Sequence, residues 1–380
     1  MKVTQISIGR FHHFHLARQM ERLGRLEAIW TGYPRRKLGD ETGIPPAKIH
    51  TFPWLQTLYM GWSRLPLLRR FELLRDHLRW CAQETLDRRV AASITAPTIL
   101  IALSGQGAHS GRKAQALGGK YICDRGSTHI RYQDALLAEE HRLWGMEWRG
   151  INSRVLAKEE EEYALADLIS VPSEFCIRSF VEQGVPPEKL RHIPYGARLE
   201  RFFPVCEPEP DQFNALFVGQ VSLRKGVPYL LEGFARFRHR NKRLRIVGDL
   251  TPELKALLPR LPTENVVFLG NVANAKLPDL YSVSDCLVAP SIEDGWSMVV
   301  SEAMACGCPV IASTHCGAAE MIETGREGFV VPIRDAGAIA SALESVADSG
   351  QRLRPAARQR VVDLGGWDSY GDMWRQVLGP

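Results

Sequence analysis

Between Pro290 and Ser313 the chain reads PSIEDGWSMVVSEAMACGCPVIAS, with two carboxylates, Asp294 and Glu302, eight positions apart. The spacing of Met298, Val299, Ala303 and Cys306 predicts a helix over residues 297–306, which puts Glu302 inside it and Asp294 just ahead of its N-terminus. A helix start offers free N–H groups and a positive dipole end to phosphate, while carboxylates at its margin suit sugar hydroxyls. Together they fit a nucleotide sugar. A second group of chemically capable residues lies upstream in Phe217-Val-Gly219-Gln220-Val-Ser-Leu-Arg224-Lys225-Gly226. It follows a short apolar run and opens a helical pattern. Gly219 lets the chain turn sharply, and the Arg224-Lys225 pair sets cations beside helix N–H groups, as diphosphate recognition requires.

Other residues invite competing chemistry. Gly9-Arg10-Phe11-His12-His13-Phe14-His15 carries three histidines in four residues. Their crowding at a helix entry suits acceptor contacts or plain surface better than a metal. Cys306-Gly-Cys308 followed by His315-Cys316 could suggest zinc. No C-x2-C pair occurs, however, so the eight cysteines read as reduced and mostly buried thiols. Ser104-Gly105-Gln-Gly107-Ala-His-Ser-Gly111 follows an apolar run, and Asp124 closes the next one, at a distance resembling a dinucleotide fingerprint. It falls in the middle of the first half rather than after its first strand, which weighs against an oxidoreductase.

The elements that must hold these residues alternate between strand and helix, which predicts parallel sheets in an α/β, doubly wound arrangement. In the first half Val3–Ile8, Thr98–Leu103, Lys120–Cys123 and Leu168–Val171 are predicted strands, with helices over Phe14–Leu23 and Gly111–Leu117. In the second half the strand-length runs are Ala215–Val218, Leu244–Val247, Val266–Leu269, Asp285–Ala289 and Val310–Ile311. A length of 380 residues calls for two domains. The Pro- and Glu-rich stretch after Pro194 marks their junction, giving domains of 1–198 and 206–366, with 367–380 as a closing helix. No apolar run reaches the length of a membrane span and no signal peptide opens the chain, so a cytoplasmic location is expected.

Charge is concentrated at the start. Residues 1–100 hold 16 Lys and Arg against 8 Asp and Glu, a surplus of +8 where the whole chain has +5. Much of it lies in Pro34-Arg35-Arg36-Lys37 and in Trp62 to Trp80, where Arg64, Arg69, Arg70, Arg75 and Arg79 alternate with leucines and aromatics. That mixture suits an anionic membrane surface or a lipid-phosphate acceptor, and a helix with Leu inward and Arg outward explains it equally well. No nucleic-acid motif accompanies the charge.

The run Asp294-Gly295-Trp296-Ser297-Met298-(x3)-Glu302-Ala303-Met304-Ala305-Cys306-Gly307-Cys308-Pro309-Val310 resembles the acidic-x7-acidic signature of family 4 glycosyltransferases, whose usual form begins Glu-Gly-Phe-Gly-Leu. Here Asp294 stands for Glu, Trp296 for Phe and Ser297 for Gly. Gly219-Gln220-(x4)-Lys225-Gly226 resembles the same family's Gly-Arg-(x4)-Lys-Gly, with Gln220 in place of Arg and Arg224 able to supply the missing charge. The resemblance implies the GT-B architecture, two Rossmann-like doubly wound domains facing a cleft. It further implies a retaining transfer from a nucleoside diphosphate sugar to a hydroxyl acceptor, such as a lipid-linked or polysaccharide precursor.

The resemblance also distributes roles. Glu302 would accept from the ribose hydroxyls, Asp294 with the backbone of Gly295 to Met298 would meet the sugar, and Arg224 and Lys225 would hold the diphosphate. Asn271 and Val272, with residues 294–298, would shape donor choice. Gly9 would bring the first domain's backbone to the donor, and His129 would stand near the transferred sugar. With charge developing on the leaving diphosphate, fixed cations and N–H donors stabilise the transition state, so neither metal nor cofactor is expected. Two other classes use the same fold, a nucleotide-sugar epimerase and a non-catalytic sugar-nucleotide-binding subunit.

Overall fold

The computed structural model describes residues 1–10, 12–62 and 72–379. Arg64, Arg69 and Arg70 lie outside the described residues. Two parallel sheets organise the rest. The first contains β1 (Val3–Ser7), β2 (Leu26–Thr31), β3 (Ile49–Thr51), β4 (Ile99–Leu103), β5 (Lys120–Asp124), β6 (Leu168–Val171) and β7 (Leu190–His192), in the order β3-β2-β1-β4-β5-β6-β7. The second contains β8 (Phe213–Val218), β9 (Lys242–Val247), β10 (Val266–Gly270), β11 (Cys286–Ala289), β12 (Val310–Ser313) and β13 (Gly328–Val331), in the order β10-β9-β8-β11-β12-β13. Central strands such as β1, β11 and β12 are buried along their whole length, as expected of parallel strands covered by helices on both faces.

The strand order reverses between β1 and β4 in the first sheet and between β8 and β11 in the second. In doubly wound sheets the crevice beyond the strand ends at such a switch point is where ligands bind. The loops leaving β8 and β11 carry Gly219 to Gly226 and Pro290 to Ser297, so the topology brings the basic pair and the acidic pair to one place. A Cβ on Gly226 would fall 1.9 Å from the carbonyl oxygen of Pro290, and Gly226 has φ +66°, so only glycine lets these two loops touch.

Between the sheets, residues 193–212 run without strand, and the last helix, Gly366–Leu378, crosses back to the first domain. It packs on the helix His13–Arg22, where Gln19 Nε2 donates to Asp368 (3.0 Å) and Arg22 pairs with Asp372 (3.1 Å). Among the described residues no helix is long and apolar enough to cross a membrane.

Candidate functional site

The helix anticipated at 297–306 forms over Met298–Ala305, and Asp294 and Ser297 frame its start. Ser297 holds a left-handed conformation, φ 57° and ψ 75°, and its N–H donates to Asp294 Oδ1 at 3.1 Å. The resembled signature has glycine at this position, which removes that strain. Asp294 Oδ2 pairs with Lys225 Nζ. Burial opposes ionisation of Asp294, but Lys225 and Arg224 outweigh it and hold the carboxyl below its usual range.

Glu293, one residue earlier, is fully buried and collects donors from both domains. Ser127 Oγ (2.6 Å), Thr128 Oγ1 (2.8 Å), Thr128 N–H (3.2 Å) and Gln133 Nε2 (2.7 Å) come from the first domain, and Arg224 Nε (2.8 Å) from the second. Burial alone would push its carboxyl up, yet Arg224 and these donors drive it well below the carboxylate range. Sequence reasoning passed over Glu293. The available signal was the match of a doubled acid, Glu293-Asp294, to a doubled base, Arg224-Lys225.

Two cavities flank the loop from Gly219 to Gly226. A groove of about 350 Å³ at the ends of β8, β9 and β10 is lined by Gly219, Gln220, Gly248, Asp249, Asn271 and Val272. Gly219 and Gly248 approach so closely that a Cβ on Gly248 would lie 1.8 Å from the Gly219 carbonyl oxygen. A larger cavity of about 670 Å³ lies between the domains, bounded by Trp80, Arg125, Gln133 and Trp148 on one side and Gln220 and Arg224 on the other. Gln220 lines both. Glu302 accepts from the Tyr281 hydroxyl (3.1 Å), and burial pushes its carboxyl up to about 7. Tyr281 lies one turn beyond Leu277, which lines the smaller groove.

Other residues singled out by sequence are placed differently. Gly295 is pressed against the first domain, with a Cβ there falling 2.2 Å from the Gly126 carbonyl oxygen. Trp296 is buried, its ring 6.5 Å from that of Tyr195, and it lines a small pocket at the interdomain hinge instead of either cavity. Met298 is half-buried and opens the helix. Gly9 lies at the end of β1, its carbonyl accepting from Ser7 Oγ at 3.0 Å.

His129 caps the helix Ile130–Leu143 through Nδ1, which accepts from the Arg131 N–H, and its ring packs between Tyr163 and Phe180. Burial lowers its pKa to about 4, so the imidazole is neutral near pH 7. In the loop ahead of it, Ser127 and Thr128 hydrogen-bond to Glu293 of the second domain.

The histidines after β1 turn inward instead of lying on the surface. His12 and His13 are buried against Asp124, with Nε2 to Oδ2 distances of 2.5 and 3.0 Å. Donor atoms of these three residues lie within 4.8 Å of one another. His15 stacks on Trp367.

The Gly105–Gly111 turn is already filled. The Glu162 carboxylate accepts from the N–H groups of Gly105 (2.5 Å), Gly107 (2.8 Å) and Ala108 (3.1 Å), and a Cβ at Gly107 would strike the Tyr121 hydroxyl at 2.4 Å. Its glycines serve packing and its N–H groups serve a carboxylate, which leaves no cradle for a dinucleotide. The eight cysteines are free thiols, six of them buried.

Residues 212–349 match the family model described as Glycosyl transferases group 1. The D-inositol 3-phosphate glycosyltransferase 2 of Catenulispora acidiphila is 32% identical over 211 residues, 49% of each chain. An MMP alpha-(1->4)-mannosyltransferase of Mycolicibacterium hassiacum is 27% identical over 213 residues, 54% of this chain and 52% of the relative. The chain spans about half the length of the curated relatives it matches. Among solved structures, Anabaena HepE in complex with UDP-glucose superposes with a TM-score of 0.68 at 16% identity, covering 100% of this chain and 99% of the other. The two sheets are therefore the two Rossmann-like halves of the GT-B fold.

Proposed function

We propose that this chain, whose residues 212–349 form a group 1 glycosyltransferase domain, moves a sugar from a nucleoside diphosphate sugar to a hydroxyl acceptor. The observation that carries the proposal is the convergence of Arg224, Lys225, Glu293 and Asp294 at the β8/β11 switch point, between a groove of nucleotide size and a cavity shared with the first domain. The nucleoside lies along Gly219, Gln220, Asn271 and Val272, with its ribose toward Glu302. The diphosphate displaces Asp294 from Lys225 and recruits Arg224. The acceptor occupies the interdomain cavity, against the first domain.

Cleavage of the glycosidic C–O bond puts charge on the leaving diphosphate, and Lys225, Arg224 and the helix N–H groups stabilise it where it develops. The two cations do the work that a metal does elsewhere, so we assign no metal or cofactor. In the manner of family 4 the leaving phosphate takes the acceptor proton on the same face of the sugar, giving retention. His129 then sets the loop at the interdomain contact by capping its helix, and Glu293 sets the domains' closure. The acceptor is a lipid-linked or polysaccharide precursor, met at the cytoplasmic face of a membrane by the basic first domain.

Incubation with UDP-, GDP-, ADP- and dTDP-sugars, reading both binding and slow hydrolysis, tests this. Binding and hydrolysis of at least one donor, with loss in Glu302→Ala, is expected. No binding to any of them, or full retention in Glu302→Ala, would sink the proposal. Release of an altered sugar without hydrolysis or transfer would mark an epimerase instead.

A further inference from the structure

The helix Trp54–Trp62 packs Leu55 against the core and turns three large apolar side chains to the outside. Its sequence, WLQTLYMGW, contains no charged residue, yet the side chain it buries is Gln56, while Trp54, Leu58 and Met60 are 72%, 61% and 48% exposed. Trp54 and Leu58, four residues apart, stand over one another on one face. Large apolar groups clustered in this way on a surface mark a contact with something else. Beside the helix, at the outermost strand of the first sheet, β3, runs a groove of about 510 Å³ lined by Trp30, Arg35, His50, Phe52, Trp54 and Arg89. Trp54 therefore belongs to both the exposed face and the groove.

The rim is cationic. Arg36 and Lys37 are exposed in the turn that carries Arg35, and Arg89 is exposed on the long helix Glu72–Ser93. Among the described residues none of Arg36, Lys37 and Arg89 forms an ion pair. An uncharged helix with Trp at its tip, edged by free cations and an aromatic groove, has the division of apolar face and basic border that an anionic bilayer complements.

We infer that this edge of the first domain docks on an anionic lipid bilayer: Trp54, Leu58 and Met60 enter the headgroup boundary, and Arg35, Arg36, Lys37 and Arg89 meet the headgroup phosphates. This deepens the membrane association proposed above and is independent of the donor chemistry. It fixes which surface of the first domain faces the lipid.

Co-sedimentation with vesicles of phosphatidylcholine alone and of phosphatidylcholine mixed with phosphatidylglycerol tests the inference, with donor binding followed on the same proteins. The full chain is expected to bind the mixed vesicles only, and added salt is expected to weaken that binding. Trp54→Ala/Leu58→Ala is expected to lower the partition at least about tenfold. Arg36→Glu/Lys37→Glu/Arg89→Glu is expected to lower it roughly fivefold or more per residue. Unchanged donor binding in both variants shows that they remain folded and separates this surface from the transferase site. Failure of the wild-type chain to bind mixed vesicles, or undiminished binding by either variant, would overturn the inference. Lipid-free self-association that Trp54→Ala/Leu58→Ala abolishes would overturn it in favour of a second copy of the chain.

Discussion

Replacing Glu293 by Gln keeps the shape of the side chain and removes its charge where both domains converge on it. The carboxylate receives four hydrogen bonds from Ser127, Thr128 and Gln133 and one from Arg224. A carboxamide has one oxygen to offer. If that oxygen stays with Ser127 and Thr128, its NH2 group faces Gln133 Nε2 and Arg224, which are donors too. Gln133 cannot simply flip, because its Oε1 accepts from Arg125 at 3.0 Å.

Removing one partner of a buried ion pair typically costs about 3–5 kcal/mol. The Arg224 side chain is 37% exposed and can rehydrate, which brings the expected loss to about 2–3 kcal/mol. In a chain of 380 residues that corresponds to a fall in Tm of roughly 2–4 °C.

The pH dependence supplies a second signature. The folded-state pKa of Glu293 lies below its unfolded value of 4.5, so its contribution is present in full above that value and lost as pH falls below it. The gap in stability between wild type and Glu293→Gln is expected to hold constant from neutral pH down to about 5 and to narrow below about 4.5. Thermal unfolding across pH measures both, and faster hydrogen exchange in residues 126–133 of the variant places the loss at the interdomain contact. An unchanged Tm, or a gap that ignores pH, would refute the reasoning.

Ser297→Gly relieves about 1–2 kcal/mol of left-handed strain and gives back about 0.4–1 kcal/mol through the freer unfolded chain, so a net gain of about 0.5–1 kcal/mol is expected in thermal unfolding. A loss in that assay would show that the serine hydroxyl is engaged. Glu302 titrates at about 7 in the folded chain, so wild-type donor affinity is expected to rise between about pH 6 and 8 as the carboxylate forms, and Glu302→Gln should flatten that step. Its ionisation also opposes folding, a penalty absent below about 4.5 and complete above about 7, so the Gln variant should gain on wild type across that window. Turnover is expected to survive EDTA. Activity lost to EDTA and restored by a divalent cation would bring a metal into the mechanism, with His12, His13 and Asp124 the first place to seek it.

Inner strands such as Ile99–Leu103 and Cys286–Ala289 were legible because burial on both faces demands continuous apolar runs, whereas Leu26–Thr31, an inner strand whose run is broken by the exposed Glu27, was not. Ile49–Thr51 and Leu190–His192 escaped notice because three-residue edge strands, half-exposed and carrying His and Arg, leave no such run. The basic pair and Asp294 could be read because a local turn and a helix start explain them. Glu293 could not be read alone, since its partners stand about 70 and 160 positions away in sequence and meet it only when the domains close. The Gly105 turn could be set aside as a dinucleotide site, but what fills it could not be read for the same reason, because the carboxylate comes from Glu162.

Titration of the nucleotide-sugar panel into wild type and Lys225→Ala tests the donor site most directly. At least one donor is expected to bind the wild-type chain, and loss of one charge-assisted contact of about 1.5–3 kcal/mol should weaken it roughly ten- to hundredfold in Lys225→Ala. Equal affinity in the two proteins, or no donor bound by wild type, would contradict a diphosphate seated on the loop between β8 and the helix Val227–Arg236.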